Sequence, residues 1–346
     1  MLDSAPVRAP VFPNGEDAQA RLATFIAKKA NARWVRIERL APLPGGAVLR
    51  HALLDCEIGD GAWAGRWRWV LRADGATSLG MGLARAQEFA LQRRLFAAGL
   101  AVAEPLFICC DETVLGAPFF LMAFLAGEAR GESIVARGEN RALAAELGDA
   151  LARLHRLQFG MKLRFLPPPP ADAASARIAE LEGLLRADDD PHPVAEWALR
   201  WLTQRKPAPL RPVLCHGDFR TGNYLVRDGH LAGVLDWDFA GWSDPDEDIA
   251  WFCAKAWRFG AFEREAGGIA PRADFYRGYE AVSGRVIDGA RVRYWEVMAA
   301  LRWSVIALRQ RDRFLQQGER SLDLALTGRR PAECELEILL LTRESG

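Results

Sequence analysis

The residues with the clearest chemical potential lie between residues 214 and 238. The segment 214–223 reads Leu-Cys-His-Gly-Asp-Phe-Arg-Thr-Gly-Asn, so four residues separate Asp218 from Asn223. Asp236 follows Asn223 after thirteen positions, within Val-Leu-Asp-Trp-Asp. Two carboxylates and an amide are oxygen groups that can orient a hydroxyl and hold a divalent cation against phosphates. This set of residues therefore indicates phosphoryl transfer from a nucleotide.

A predicted β-hairpin explains how these side chains would meet. Strand-like patterns at Tyr224–Val226 and Leu231–Leu235 flank Arg-Asp-Gly-His at 227–230, which is a turn sequence. One strand leaves Asn223 and the next arrives at Asp236, so we expect both residues at the same end of the hairpin. The residues alone also allow a tight loop whose aspartate and asparagine cap turns and whose histidine is buried.

The remaining pattern predicts strands first and helices afterwards. Strands are predicted at Trp34–Leu40, Val48–Ile58, Trp63–Leu71, Pro105–Cys110 and Pro118–Leu125, with one helix at Gly82–Ala98. Beyond Gly127 the patterns are helical, apart from the β-rich segment Val213–Trp237. This order favours an α+β protein in two lobes. We expect an N-terminal arm or helix over 1–29, a first lobe over 30–126 and a second over 127–346.

Composition excludes several classes of protein. The 346 residues carry 45 basic and 45 acidic side chains and are half hydrophobic, which excludes a wholly disordered chain. A balanced charge gives no support for a nucleic-acid-binding or membrane-surface protein. No apolar run is long enough for a bilayer, the N-terminus has no secretory pattern, and the six cysteines lack regular spacing. We therefore expect a cytoplasmic protein with reduced thiols.

The catalytic segment resembles that of the aminoglycoside phosphotransferase family, which includes choline-kinase-like enzymes. The shared features are residues 216–223, Asp236, and Gly-Trp-Ser-Asp-Pro-Asp-Glu-Asp-Ile-Ala at 241–250. The resemblance implies a protein-kinase-like bilobal fold, with an N-terminal antiparallel sheet lobe for the nucleotide and a larger, mainly helical C-terminal lobe for catalysis and the acceptor. It implies Asp218 as catalytic base, Asn223 and Asp236 as Mg²⁺ ligands, and ATP or GTP as donor. Asp248 would brace the catalytic loop and cap a helix N-terminus.

The same resemblance assigns nucleotide-binding roles in the N-terminal lobe. Gly45 and Gly46 form a predicted turn that would approach the phosphates, although such a pair also suits an ordinary hairpin. Arg72 stands where kinases have lysine, because no lysine lies between Lys29 and Lys162. Arginine keeps its charge and can contact two phosphate oxygens, but an arginine at a strand end can equally be a surface residue.

Three further residues of this lobe complete the expected nucleotide site. Glu88, sixteen residues after Arg72, matches the family's glutamate that pairs with the cation; outside this context it would be a solvated side chain. Ala123 and Leu125 lie in an apolar segment that resembles the hinge whose backbone binds the adenine edge. The alternative is a strand that serves only as core. In the other lobe, we expect His155 to be structural.

The acceptor is expected to be a small hydroxyl compound bound by the C-terminal helices. From residue 251 onward the chain has 16 basic and 13 acidic residues, and Arg302, Arg309, Arg311 and Arg313 share one predicted helix. This balance favours a neutral or anionic acceptor over a polycationic aminoglycoside. Val-Leu-Arg at 70–72 is similar to phosphotransferases found fused to, or near, acyl-CoA dehydrogenases, and that similarity implies a hydroxy acid or hydroxyacyl acceptor.

Three other functions stay open from the sequence. Arg72 in place of lysine also suits a catalytically silent kinase-fold module that binds nucleotide or regulates a partner. An aminoglycoside kinase is the second alternative. Transfer to a protein hydroxyl is the third, and the absence of an Ala-Pro-Glu sequence disfavours it. The oligomeric state and the choice between ATP and GTP do not follow from the sequence.

Overall fold

A computed structural model describes residues 16–43, 49–74, 82–158, 163–188, 190–316, 319 and 321–343. The chain divides into two compact units, Met1–Ala126 and Gly127–Gly346, which are called the first and second unit below. Gly45 and Gly46 lie outside the described residues, so the predicted phosphate turn has no structural account.

The first unit is built on an antiparallel sheet of five strands with the order β1-β2-β3-β5-β4. The strands are β1 Val35–Pro42, β2 Leu49–Ile58, β3 Gly65–Asp74, β4 Pro105–Cys109 and β5 Phe119–Ala123, and the helices are α1 Glu16–Ala30, α2 Arg85–Ala97 and α3 Glu112–Leu115. Helix α1 buries Leu22 and Ile26 in the same core as Trp69 of β3. Their spacing of four residues places both side chains on one helix face.

Strand β3 differs from its predicted bounds of Trp63–Leu71. Residues Gly61–Trp63 form a short 3₁₀ turn, so the strand begins only at Gly65. It continues through Arg72 to Asp74 because Arg72 and Ala73 pair with Phe120 and Phe119 of β5. Arg72 therefore lies inside the sheet and is only 3% exposed, which makes the surface-residue alternative wrong.

The second unit is mainly helical. Its helices are α4 Gly131–Ala136, α5 Arg141–Arg156, α6 Ala173–Leu185, α7 Pro193–Gln204, α8 Pro245–Cys253, α9 Arg272–Ser283, α10 Gly289–Leu315, α11 Leu322–Thr327 and α12 Pro331–Thr342. Two small antiparallel sheets complete it: β6 Val213–Cys215 with β9 Gly241–Ser243, and β7 Tyr224–Arg227 with β8 His230–Val234. The predicted α+β fold, with an N-terminal antiparallel sheet and a mainly helical C-terminal part, is confirmed.

Helices α5 and α9 approach each other closely at two glycines. A Cβ on Gly148 would lie 2.1 Å from the carbonyl oxygen of Phe275, and one on Gly278 would lie 2.0 Å from that of Ala145. Such distances exclude any side chain, so glycine lets the two backbones touch. The contact brings His155 of α5 beside Tyr279 of α9, with 2.9 Å between His155 Nδ1 and the phenolic oxygen.

Within the part of the chain that the structure describes, no helix combines the length and the apolar character that a membrane span requires.

Candidate active site

The β7–β8 hairpin brings Asn223 and Asp236 to one end, as predicted from the sequence. Tyr224 pairs with Val234 at the open end of the hairpin. Just beyond this pair, the amide of Leu235 donates to the carbonyl oxygen of Asn223 at 2.8 Å. Asp236 is the next residue after Leu235, so the two predicted metal ligands lie at the same end of the hairpin.

Asp218 lies in the loop before this hairpin, and its carboxylate is held by three side chains. Trp251 Nε1 donates to Oδ1 at 2.7 Å, and Asn223 Nδ2 donates to Oδ2 at 2.6 Å. Arg220 Nε lies 3.2 Å from both oxygens. Asp218 is nevertheless 9% exposed, so the carboxylate is held in one orientation and not sealed in the core. Such fixed orientation suits a group that must accept a proton from a positioned hydroxyl.

The peptide before Asp218 depends on a glycine. Gly217 has φ of 78°, in the left-handed region that favours glycine, and a Cβ there would lie 2.2 Å from the carbonyl oxygen of Phe239. Arg302 of α10 donates from Nη1 to the carbonyl oxygen of Gly217 at 2.7 Å. The His-Gly-Asp spacing is therefore a backbone requirement as well as a chemical one.

Asp248 fixes this loop from behind. Its Oδ2 accepts from the amide of His216 at 2.7 Å, and its Oδ1 accepts from the amide of Gly217 at 2.9 Å. His155 Nε2 lies 3.2 Å from Oδ2, which agrees with the structural role expected for this histidine. Burial alone would raise the pKa of Asp248, but the hydrogen bond with His155 and the nearby His216 outweigh it, so the pKa lies below its ordinary value.

The expectation that Asp248 caps a helix is wrong. The N-cap of α8 is Asp244, whose side chain accepts from the amide of Asp246 at 2.9 Å. Asp248 lies within the first turns of the helix and uses both oxygens on the loop. The helix dipole favours negative charge near the N-terminus, so the acidic run from Asp244 to Asp248 is well placed there.

The donor set around Asn223 and Asp236 fits a hard divalent cation. Asn223 Nδ2 donates to the carbonyl oxygen of Asp218 at 2.9 Å as well as to its carboxylate, which leaves Oδ1 as the amide atom for a cation. Asp236 is partly buried and has φ of 63°, a conformation that residues other than glycine adopt rarely. Backbone strain of this kind concentrates at functional sites. An amide oxygen and a carboxylate are ligands that Mg²⁺ prefers.

The predicted pair between Arg72 and Glu88 is present in the first unit. Arg72 Nη2 lies 2.8 Å from Glu88 Oε1, and Arg72 Nε donates to Oε2 at 2.9 Å. Glu88 is only 1% exposed, which makes the solvated-side-chain alternative wrong. Arg85 also contacts Glu88, and Arg72 Nη1 lies 2.7 Å from His51 Nε2. The bidentate geometry fixes the guanidinium in a way that a lysine ammonium could not reproduce.

Replacing Glu88 with glutamine is expected to lower the free energy of unfolding by about 3 kcal/mol, because it leaves a buried guanidinium without its counter-charge. The matched control is Asp55→Asn, which removes the partner of exposed Arg68 on the same strand as Arg72. We expect the control to cost less than about 1 kcal/mol. Urea denaturation measures both. Equal losses in the two variants would contradict the importance of the buried pair.

The predicted hinge residues have defined backbone roles. The amide of Ala123 donates to the carbonyl oxygen of Glu104 at 2.8 Å, so a nucleobase contact by Ala123 would have to use its carbonyl oxygen. The Leu125 side chain packs against a buried cluster that includes Phe89 and Phe120. A core role is therefore present at this segment, and nucleobase binding by these two residues stays a prediction.

Sequence reasoning missed three residues that hold the catalytic loop: Arg220, Trp251 and Arg302. Arg220 lies within the motif itself, and Trp251 comes three positions after Asp248, on the same face of α8. Those spacings were the available signals. Arg302 lies 85 positions from Gly217 and had no local signal.

This chain shares sequence or fold with several known proteins. A model of the phosphotransferase enzyme family, APH, matches residues 61–295. Mouse acyl-CoA dehydrogenase family member 10 is 27% identical over 181 residues, which cover 48% of this chain and 16% of that protein. The chain spans about a fifth or less of the length of the curated relatives that it matches.

Two solved structures illustrate the fold. A proposed aminoglycoside phosphotransferase from Ralstonia eutropha superposes with a TM-score of 0.73 at 20% identity, covering 94% of this chain and 99% of that one. A thermostable mutant of aminoglycoside phosphotransferase APH(4)-Ia, in ternary complex with ADP and hygromycin B, gives a TM-score of 0.61 at 16% identity, covering 94% and 99%. The kinase-like fold implied by the catalytic segment is thereby confirmed.

Proposed function

Since the chain belongs to the phosphotransferase enzyme family, we propose that it transfers the γ-phosphoryl group of ATP or GTP to a hydroxyl group of a small neutral or anionic molecule. The observation that carries this proposal is the Asp218 carboxylate, which is oriented by Trp251, Asn223 and Arg220 next to a hairpin whose open end carries Asn223 and Asp236. A nucleotide donor is further supported by the ADP in the hygromycin complex.

The proposed reaction is a direct displacement at phosphorus. The acceptor oxygen forms a bond to the γ-phosphorus while the bond from that phosphorus to the β–γ bridging oxygen breaks. Asp218 accepts the hydroxyl proton, and the nucleoside diphosphate leaves with the bonding electrons. The products are a phosphate monoester, a nucleoside diphosphate and a proton, which Asp218 then releases to water.

Asn223 and Asp236 are the residues proposed to hold Mg²⁺. A bound magnesium ion would neutralise charge on the nucleotide phosphates. The protein's own part is to fix the two ligands: the β7–β8 hairpin sets the position of Asp236, and the hydrogen bonds from Asn223 Nδ2 to Asp218 set the orientation of the amide.

Arg72 is proposed to steady the phosphates, with Glu88 as its positioning residue. The bidentate contact fixes the direction of the guanidinium and keeps its rotamer entropy from opposing nucleotide binding. Gly45, Gly46, Ala123 and Leu125 complete the proposed nucleotide contacts. We also propose a cytoplasmic location for the protein, because the phosphoryl donor of the proposed reaction is a nucleoside triphosphate.

The proposed acceptor is not an aminoglycoside, and the dehydrogenase-family relatives favour a hydroxy acid or hydroxyacyl compound. Two arginines of α10 are already paired, however, because Arg311 contacts Asp188 and Arg313 contacts Glu319. The proposal of an anionic acceptor therefore depends on the dehydrogenase-family relatives, whereas the paired arginines support a neutral acceptor.

Thermal melting with Mg²⁺–ATP and Mg²⁺–GTP tests the nucleotide site. A nucleotide at about a hundred times its Kd should stabilise the fold by about 2.7 kcal/mol, which is a shift of a few degrees in Tm. We expect Asp236→Asn to abolish the metal-dependent shift, and Asp228→Asn, an exposed change in the same hairpin, to keep it. No shift with either nucleotide in the unmodified protein would favour the catalytically silent module.

A further inference from the structure

A cavity of about 410 Å³ lies within the second unit, between the end of α8, the segment that follows it, α10 and α12. Its volume falls in the range of pockets that bind small molecules. Five aromatic rings form part of its wall, those of Trp251, Trp257, Trp303, Phe259 and Phe262, beside seven charged side chains. An aromatic wall of this kind gains free energy by covering apolar surface.

The cavity is joined to the catalytic loop by the side chain of Trp251. The indole ring lines the cavity, while its N–H donates to Asp218 Oδ1 at 2.7 Å. A second connection runs through Arg220, which contacts the Asp218 carboxylate and lies over the ring of Trp257 at 4.6 Å from its centroid. A molecule against Trp251 would therefore lie across one indole ring from the proposed base, whereas the Arg220 side chain lies between Trp257 and the same carboxylate.

Three of the four carboxylates that line the cavity are matched by basic side chains, and the fourth, that of Glu132, is exposed. Glu296 pairs with Arg272 at 3.0 Å, Glu333 with Arg330 at 3.1 Å, and Glu337 with Lys255 at 3.3 Å. Burial raises the pKa of Glu296 above its ordinary value, although Arg272 opposes the shift. A cationic ligand would have to compete with these partners for each of the three paired carboxylates.

The aromatic faces are also already in contact with cations. Arg302 lies over Trp251 at 4.6 Å from the ring centroid, as Arg220 does over Trp257, and Lys255 lies over Phe262 at 5.3 Å. A quaternary ammonium group on the opposite face of either tryptophan would feel the repulsion of the guanidinium behind it. The aromatic part of the wall thus disfavours positive charge.

We propose that this cavity binds an uncharged, apolar body of the acceptor, such as an alkyl chain, and directs its hydroxyl toward Asp218. This inference rests on the proposed function and narrows its acceptor class to molecules with an uncharged, apolar portion, because the arginines over Trp251 and Trp257 disfavour polycationic antibiotics and choline-like cations at those rings. Trp303 and Ala300 of α10 line the cavity and are partly exposed, and neither is among the side chains that hold the Asp218 carboxylate.

Equilibrium binding of n-butanol, n-hexanol and n-octanol to the Asp218→Asn protein tests the cavity without requiring turnover. Calorimetry should show Kd falling about fourfold for each added methylene, the equivalent of ~0.8 kcal/mol per buried CH₂. Choline and kanamycin should bind more weakly than n-octanol. A Kd independent of chain length, or tighter binding of either cation, overturns the proposal.

Two variants locate the binding. Trp303→Ala removes part of the wall and should weaken n-octanol binding at least tenfold, while Trp34→Ala, a half-exposed tryptophan of the first unit, should not. Ala300→Leu fills the cavity and should also weaken n-octanol binding at least tenfold, although it removes no ring. Ala290→Leu, at an exposed position of the same helix, should leave n-octanol binding unchanged. Unchanged binding in both cavity variants overturns the proposal.

Failure of the cavity proposal is distinguishable from failure of the proposed function. Loss of the chain-length dependence, with the nucleotide shift in Tm intact, rejects the cavity alone. Normal alcohol binding without any nucleotide shift rejects phosphoryl transfer and keeps an apolar binding site. In the active protein, release of nucleoside diphosphate with n-octanol should exceed the alcohol-free rate, and Asp218→Asn should remove that excess.

Discussion

Asp218→Asn is expected to lower kcat by about a hundred- to ten-thousand-fold while nucleotide binding is retained. Asparagine keeps an oxygen to accept from Trp251 Nε1, while its NH2 group faces Asn223 Nδ2 and loses that hydrogen bond. An amide does not accept the hydroxyl proton. The measurement is the initial rate of nucleoside diphosphate release with a saturating acceptor, together with the Kd for nucleotide.

The control for this prediction is Asp228→Asn in the turn of the adjacent hairpin, where the side chain is 91% exposed. Its kcat should equal that of the unmodified protein within about twofold, because surface changes away from a site leave its geometry intact. Retained turnover in Asp218→Asn would remove Asp218 from the role of base. Loss of nucleotide binding in the same variant would instead indicate that its carboxylate takes part in holding the donor.

Asp248→Ala is expected to lower the free energy of unfolding by about 4–5 kcal/mol. The substitution strips the acceptor from two buried backbone N–H groups, those of His216 and Gly217, and from buried His155. Unsatisfied buried donors cost about 1–3 kcal/mol each. Urea denaturation of the two proteins measures the loss, and activity should fall as well because the loop before Asp218 loses its support.

The matched control is Asp149→Ala, which removes an exposed partner of Arg153 on α5 and should cost less than about 1 kcal/mol.

The stabilising effect of Asp248 also depends on pH in a defined direction. Its folded-state pKa lies below the ordinary value of 3.8, so its stabilising contribution is complete above about pH 4. That contribution is lost as the pH falls through the lower folded-state pKa. A difference between the proteins that persisted unchanged at lower pH would contradict this assignment.

Local spacing determined much of the catalytic segment from the sequence alone. A turn at 227–230 between two short strands leaves little choice about where Asn223 and Asp236 meet, because strand pairing in a hairpin is set by its turn. Local spacing also predicted the Arg72–Glu88 pair, because strand β3 and the helix that follows it, α2, bring the two residues to the same region of the first unit. The α+β order of strands before helices followed in the same way from patterns that each depend on neighbouring residues.

Only the tertiary structure decided how that segment is supported. The pairing of β3 with β5 carried the strand past Leu71 and buried Arg72, which no pattern within residues 63–74 indicated. The N-cap of α8 is Asp244, which precedes Pro245 at the first helical position, whereas Asp248 accepts from two amides of a loop more than 30 positions away. Arg302 and the aromatic cavity arise where α10 packs against α8, and helix-to-helix contacts of this kind depend on the whole arrangement of the core. Sequence periodicity specifies which face of a helix is buried, whereas the partner of that face is set by packing alone.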